Sequence, residues 1–149
     1  MKKFLLLSML IALFASCSSL DQKSQTGLKG NWTIASVTYP GSDYIKVTSF
    51  DVADSKCFEG STWNFVSNSN KGNMTLNSSA CPSFTSPIVW TVTKEGSFTL
   101  KITEGEKAKR VTQGYILRIR NQTESSFQLV DNVSVGGQNV EVVYNFQKV

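Results

Sequence analysis

The feature that most constrains this 149-residue chain is an alternation of apolar and polar side chains with a period of two, which begins near residue 30. This period is typical of β-strands that bury one face. Segments with this period are separated by turns rich in Gly, Pro, Asn and Ser, and none sustains a helical period. The eight segments are residues 31–39, 62–67, 73–77, 88–93, 97–103, 114–121, 125–131 and 140–148. The sequence therefore predicts an all-β fold.

The order of the strands predicts how they pair. Eight sequential strands with short connections favour an antiparallel up-and-down β-barrel, because closure leaves no strand edge unpaired. An eight-stranded sandwich is the alternative. The longest connection, residues 40–60, either contains a further short strand over 45–52 or forms a lid over one end of the barrel.

The apolar face of the predicted barrel is rich in aromatic side chains. Barrels of this size either fill with side chains or hold one small ligand. If a ligand calyx exists, the candidates for lining it are Trp63, Phe65, Trp90, Phe98, Tyr115, Phe127 and Tyr144. The preferred function is then binding of a small apolar or amphipathic molecule. The alternative is a filled barrel that serves as a structural or protein-interaction module of the cell envelope.

The composition excludes several classes of function. The chain has no histidine, which removes the commonest general base and a frequent metal ligand. We therefore expect no enzyme, no catalytic residues, no metal site and no cofactor. The 15 basic residues exceed the 11 acidic ones by only four, so nucleic acid is not an expected partner. We expect a monomer.

Residues 1–16 have the plan of a signal peptide. Lys2 and Lys3 precede an apolar run that is too short to span a bilayer. The Leu-Phe-Ala-Ser-Cys sequence that ends at Cys17 resembles a bacterial lipobox. This resemblance implies cleavage before Cys17 and attachment of acyl chains such as palmitate to it, which would anchor the protein in a membrane. The alternative is ordinary signal peptidase cleavage near the same point.

The residues after Cys17 bear on the location and on the domain boundary. By resemblance to enterobacterial lipoproteins, in which an Asp after the lipidated cysteine implies retention in the inner membrane, Ser18 implies the outer membrane, on either its periplasmic face or the cell surface. Residues 17–27 have no apolar pattern and are predicted to be a flexible tether. The barrel domain is then predicted to span residues 28–149.

Cys57 and Cys81 remain as an even pair in a compartment where disulfides persist. Residues 61–67 and 73–79 are predicted to form a hairpin about residue 70, which pairs position i with about 140 − i. Cys57 then lies opposite residue 83 and within reach of Cys81. The sequence predicts a disulfide between them.

The start of the domain carries a resemblance to a known family. The Gly30-Asn31-Trp32 sequence opens the first of eight alternating strands, as the G-x-W motif does in lipocalins. The pattern is similar to the lipocalin-like domain of Bacteroidetes lipoproteins, on the residues Leu28, Gly30, Trp32, Cys57, Trp63 and Phe65. The resemblance implies that Trp32 packs across the closed base of the barrel. The sequence departs from the family in two places: residues 121–124 replace the T-D-Y-like turn before the seventh strand, and the base-closing arginine near the C-terminus has no match other than Lys148.

Overall fold

The computed structural model describes residues 22–42 and 45–149. Within these residues eight strands close into one antiparallel barrel, and a small hairpin lies in the connection after the first strand. The barrel strands are β1 (Gly30–Thr38), β4 (Thr62–Val66), β5 (Lys71–Leu76), β6 (Phe84–Val92), β7 (Ser97–Ile102), β8 (Tyr115–Arg120), β9 (Ser126–Val135) and β10 (Gln138–Lys148). The remaining elements are helix α1 (Gln22–Gly27), the hairpin strands β2 (Thr48–Ser49) and β3 (Ala53–Asp54), and the 3-10 turns Ser55–Phe58 and Ala108–Arg110.

The strands follow the up-and-down order that the sequence predicts. Neighbouring strands pair along the chain from β4 to β10, and β1 pairs with both β10 and β4 to close the barrel. The barrel prediction is confirmed, and the sandwich alternative is wrong. The connections gather at two ends. The base holds residues 67–70, 93–96 and 121–125, and the mouth holds residues 39–42, 45–61, 77–83, 103–114 and 136–137.

Successive side chains of a strand point to opposite faces, so the alternating pattern sends the apolar ones into the barrel. Residues opposite each other on paired strands share a face and therefore meet there. Trp32 lies opposite Trp63, and Phe127 lies opposite Phe146. All four side chains are buried. Gly72 helps to fix the β4–β5 register, since a Cβ atom there would lie 1.9 Å from the backbone oxygen of Asn64.

The lower half of the barrel is filled by rings. Phe65 lies at the centre of this cluster, 5.1 Å from Trp90 and 5.8 Å from Phe98 between ring centroids. Phe127 stacks on Phe146 at 4.5 Å, and Trp32 meets the edge of Phe127 at 4.7 Å. We call these residues, together with Trp63, the base cluster. Its packing supplies the main apolar core of the barrel.

Helix α1 corrects the prediction of a flexible tether for residues 22–27. The helix lies at the base, where Gln25 is buried. The Gln25 amide donates to the Ser67 carbonyl (3.1 Å) and to Asn70 Oδ1 (2.5 Å), and its oxygen accepts from the Val92 amide (3.3 Å). These contacts dock the helix against the base turn 67–70 and the end of β6. The folded domain therefore begins before residue 28, because a polar segment without an apolar pattern is held by hydrogen bonds rather than by apolar burial.

Strands β9 and β10 are longer than the sequence predicts. The predicted strands leave residues 132–139 between them, whereas the structure needs only Gly136 and Gly137 for the turn. Both glycines have positive φ (57° and 81°), which suits a two-residue hairpin turn. The hairpin projects beyond its neighbours, since β8 pairs no further than Val130 and β1 no further than Val143. We call the projecting residues 131–142 the arm.

In the described part of the chain, no helix has the length and apolar character needed to cross a bilayer. The predicted signal peptide and Cys17 lie outside the described residues.

Candidate functional site

The mouth of the barrel is covered by the connection between β1 and β4. Its described part nearest the barrel, residues 45–60, is called the lid. Strands β2 and β3 form a hairpin in the lid, so both sequence expectations for this connection, a short strand and a cover, are met by one structure. The 3-10 turn Ser55–Phe58 lies near the end of the lid segment. Asp54 caps this turn by accepting a hydrogen bond from the Lys56 amide (2.9 Å).

The turn at the tip of the lid has an unusual backbone. Phe50 and Asp51 occupy its two central positions with φ of 54° and 53°, and the Val52 amide donates to the Ser49 carbonyl (3.0 Å). Turns of this kind usually place Asn and Gly at these positions, because side chains with a Cβ are disfavoured there. The left-handed conformation costs Phe50 about 1–2 kcal/mol. The surroundings of its ring must offset that cost.

The Phe50 ring is buried in a box of three other rings. Its centroid lies 5.3 Å from Phe58, 5.1 Å from Tyr115 and 5.5 Å from Tyr144. The first two rings meet it at steep angles and Tyr144 stacks on it. We call Phe58, Tyr115 and Tyr144 the aromatic box. The box belongs to three different elements, and Phe50 occupies it as the tip of the lid.

Polar side chains fasten the lid to the barrel. Ser49 Oγ and the Tyr144 hydroxyl are 2.5 Å apart. The Gln113 amide donates to Asp51 Oδ2 (2.6 Å), and the Tyr115 hydroxyl lies 3.4 Å from the same oxygen. Such bonds contribute about 0.5–1.5 kcal/mol each in proteins. The lid is therefore held closed by several weak contacts rather than by a continuous sheet.

One covalent bond fixes the side of the lid opposite its tip. Cys57 and Cys81 form a disulfide with a Cα–Cα distance of 5.7 Å, as the sequence predicts. The bond joins the 3-10 turn of the lid to the connection between β5 and β6 at the mouth. Thr62 pairs with Thr75, so paired residue numbers in the β4–β5 hairpin add to 137 rather than to the predicted 140. This register brings Cys81 nearer to Cys57 than the predicted one does. The tip of the lid remains outside this covalent link.

The two tyrosines of the aromatic box are neutral donors over a wide pH range. Burial, together with the charge and hydrogen bond of Asp51, raises the pKa of Tyr115 to about 12. Burial also raises the pKa of Tyr144, an effect that the Ser49 hydrogen bond opposes and that the charges of Asp131 and Tyr39 increase. Both phenols can therefore donate hydrogen bonds to a bound polar group.

Asp131 is a residue of the mouth that the sequence reasoning missed. It pairs with Val142 and shares the inner face of β9 with Leu129 and Val133. Desolvation raises its pKa, although the Asn132 amide opposes the shift. The pattern of the sequence could have revealed it, since Asp131 interrupts the series of inward apolar residues 127, 129, 133 and 135. The predicted end of this strand at residue 131 hid the interruption.

The structure divides the seven predicted calyx residues between the two ends. Tyr115 and Tyr144 lie in the aromatic box at the mouth. The other five belong to the base cluster, where their rings contact one another: Trp63, Phe65, Trp90, Phe98 and Phe127. The Trp63 indole also donates a hydrogen bond to Ser61 Oγ (2.9 Å). The sequence pattern indicates which residues face inward, but it does not indicate their height in the barrel.

The predicted base motif has the expected arrangement. Trp32 is fully buried and its indole nitrogen donates to the Leu28 carbonyl (2.9 Å). Lys148 Nζ lies 5.4 Å from the centroid of the Trp32 ring, within range of a cation–π contact. Gly30 has a φ of 121° and leaves only a narrow space beside Lys148. Lys148 thus takes the position that the resemblance assigns to a basic residue.

No group of three or more His, Cys, Asp or Glu side chains in residues 22–42 and 45–149 is arranged to hold a metal ion. The mouth offers instead rings, phenolic hydroxyls and one inward carboxylate. Such a lining is compatible with binding a small organic molecule.

A closed up-and-down barrel of eight strands, with a tryptophan across its base and a lid over its mouth, defines a small barrel of the lipocalin type. The chain belongs to the family of lipocalin-like domains, whose family model matches residues 28–129. A comparison with curated protein sequences finds no significant match.

Two solved structures are similar to this chain. One is a lipocalin-like protein from Bacteroides uniformis ATCC 8492, with 12% sequence identity and a TM-score of 0.50, which covers 83% of this chain and 99% of its own. The other is a protein from Bacteroides eggerthii DSM 20697, with 13% identity and a TM-score of 0.49, which covers 81% of this chain and 98% of its own. At this identity the first likeness supports the barrel fold alone.

Proposed function

We propose that this protein binds a small apolar or amphipathic molecule in the mouth of the barrel, behind the lid. The observation that carries the proposal is the position of Phe50. Its ring occupies the aromatic box although its backbone has positive φ. A side chain held this way occupies the volume that a ligand ring would take when the lid opens.

The energies of the closed lid are consistent with such an exchange. Burial of a Phe side chain contributes about 1.5–3 kcal/mol, whereas its left-handed backbone costs about 1–2 kcal/mol. The two values partly offset each other, so displacing Phe50 costs a ligand less than the burial of the ring alone, although the ligand must also compensate for the hydrogen bonds of Ser49 and Asp51. Opening also releases the Tyr144 hydroxyl from Ser49 and makes it available to a polar group of the ligand.

We call the Phe50 side chain the plug, since it fills the aromatic box. Probe binding to a variant without the plug tests this proposal. N-phenyl-1-naphthylamine, a neutral apolar fluorophore, is titrated into the wild type, Phe50→Ala and Ile116→Ala. We expect Phe50→Ala to bind it at least about tenfold more tightly than the wild type, because competition from the plug is removed. Ile116 is 73% exposed on β8, and its substitution should leave the affinity unchanged. If neither the wild type nor Phe50→Ala binds, the filled-barrel module becomes the better account.

We also propose that the barrel is held at the outer membrane through acyl chains on Cys17. The lipobox-like sequence before Cys17 supports this proposal. In the native host, mass spectrometry of the mature protein should find an acylated N-terminal Cys17, and Cys17→Ala should leave the membrane fraction. An unmodified Cys17, or a chain that begins elsewhere, would contradict the anchor and leave the binding proposal intact.

A further inference from the structure

The inner face of the arm carries one charged residue close to the aromatic box. Residues 129, 131 and 133 of β9 point to the same side, and Asp131 lies opposite Val142 on β10. Tyr144 is two residues further along β10 and pairs with Leu129, so Asp131 and Tyr144 are diagonal neighbours on the inner face. The carboxylate therefore stands above the ring on which Phe50 stacks.

The surroundings of Asp131 do not neutralise it. The ion pairs among the described residues join Lys56 to Glu59 and both Arg118 and Arg120 to Glu141, and none includes Asp131. A hydrogen bond from the Asn132 amide is the contact that favours its charged form. The other neighbours on this face, Leu129, Val133 and Val142, are apolar.

The inward position of Asp131 needs an explanation because a half-buried carboxylate without a cation destabilises a folded protein. The residues before and after Asp131 on the inner face of β9, Leu129 and Val133, are apolar. An apolar residue such as Val would therefore suit position 131 better than Asp if the position served packing alone. Asp131 also lies one residue beyond Val130, the last residue of β9 that pairs with β8, on the mouth side of that pairing.

We propose that Asp131 is the counter-charge for a cationic ligand, and that the mouth binds a small organic ammonium ion joined to an aromatic or apolar body. The ammonium group lies beside Asp131, where a charge-assisted hydrogen bond forms. The body replaces the Phe50 ring in the aromatic box. The ring faces of Tyr144 and Tyr115 add a cation–π contribution to the same group. This inference rests on the proposed function, whose site it shares.

A set of three probes of similar shape tests the charge requirement. 2-Phenylethylamine, which is a cation at neutral pH, 2-phenylethanol and phenylacetate are titrated by calorimetry into the wild type and Phe50→Ala. We expect the cation to bind at least about tenfold more tightly than the alcohol, which corresponds to about 1.4 kcal/mol, and the anion to bind least. The variant without the plug should bind all three more tightly in the same order.

Asp131→Asn removes the charge and keeps the shape of the side chain. We expect this variant to bind the cation and the alcohol with similar affinity. The matched control is Glu95→Gln, which removes an exposed carboxylate at the base and should keep the preference. A preference for the cation that survives in Asp131→Asn would overturn the role of Asp131.

The remaining outcomes separate the two proposals. Equal binding of the cation and the alcohol to the wild type would overturn the ammonium site and leave apolar ligand binding in place. Failure of all three probes and of the naphthylamine fluorophore to bind both the wild type and Phe50→Ala would overturn the proposed function, and the ammonium site with it.

Discussion

The base and the mouth of this barrel are both built from aromatic side chains on the same strands, yet they are organised differently. At the base, rings pack on rings and the indole of Trp90 donates to the Lys71 carbonyl (2.9 Å). At the mouth, the box is occupied by Phe50 from a turn with positive φ, and hydroxyl and carboxylate groups surround it. The difference indicates that the base cluster is the main source of stability, whereas the mouth holds the proposed binding site.

The largest effect should follow from a cavity in the base cluster. Phe65→Ala removes a ring that contacts five others and should lower the free energy of unfolding by about 3–5 kcal/mol. Urea unfolding of this variant and of the exposed control Ile116→Ala measures the difference. A loss below about 1 kcal/mol would show that the base is not the main source of stability.

Loss of the disulfide should come next. The double substitution Cys57→Ala and Cys81→Ala opens a link between residues 24 positions apart and should cost about 3 kcal/mol on the chain-entropy model. The urea midpoint of the variant, compared with that of the oxidised wild type, measures the cost. Two reactive thiols in the denatured, unreduced wild type would contradict the bond itself.

Substitution of the plug should cost less than substitution in the base cluster. Phe50→Ala loses the burial of one ring and keeps the Cβ that opposes positive φ, so we expect a loss of about 1.5–3 kcal/mol, the contribution of burying one Phe side chain. The same urea experiment measures it. A loss as large as that of Phe65→Ala would mean that the mouth and the base form one core.

Asp131→Asn should increase the stability of the protein at neutral pH, whereas the substitutions in the base cluster and the disulfide should lower it. Because burial raises the pKa of Asp131 above its unfolded value, the charged carboxylate opposes folding once the pH exceeds the folded pKa, and this cost disappears below the unfolded pKa. The variant should therefore be more stable than the wild type at neutral pH and equal to it near pH 3. The titratable groups on facing elements, Tyr115 and Tyr144, stay neutral throughout this range. Thermal unfolding across this range checks the sign, and a less stable variant at pH 7 would contradict it.

The smallest effect concerns Tyr115. Its pKa of about 12 in the folded protein lies above the ordinary value of 10.0 for tyrosine, so the unfolded chain ionises first and stability is lost as the pH rises from 10 to 12. Tyr115→Phe should reduce that alkaline loss. Unfolding measured at pH 8, 10 and 11 tests this, and an identical alkaline loss in both proteins would place the titration elsewhere.

The sequence predicts the parts of the molecule that depend on local pattern. The period of two identifies the eight barrel strands, and in the structure Gly30 and Trp32 begin β1 at the base, with Lys148 beside the Trp32 ring. The height of each ring depends on register, which the period alone leaves open. The period therefore predicts the same calyx position for Trp90 and Phe127, which lie in the base cluster, as for Tyr144, which lies at the mouth.

Two further features depend on contacts between distant segments. The docking of α1 depends on hydrogen bonds from the Gln25 side chain to the turn 67–70, which lies more than 40 residues away in the sequence. The plug depends on Phe50 meeting Tyr144, which belongs to the last strand. Neither contact has a signature in the local sequence. The inward position of Asp131 does have one, but it becomes visible only when β9 is extended to Val135.

Native-state hydrogen exchange tests most directly whether the mouth opens while the base stays folded. The lid amides of Val52 and Ser55 donate to Ser49 and Val47, and the base amides of Trp90 and Ile119 donate to Asn70 and Gly96. We predict that the lid amides exchange through an opening of lower free energy and weak denaturant dependence, and that the base amides exchange only on global unfolding. Equal opening free energies at both sets, with the same denaturant dependence, would contradict the account.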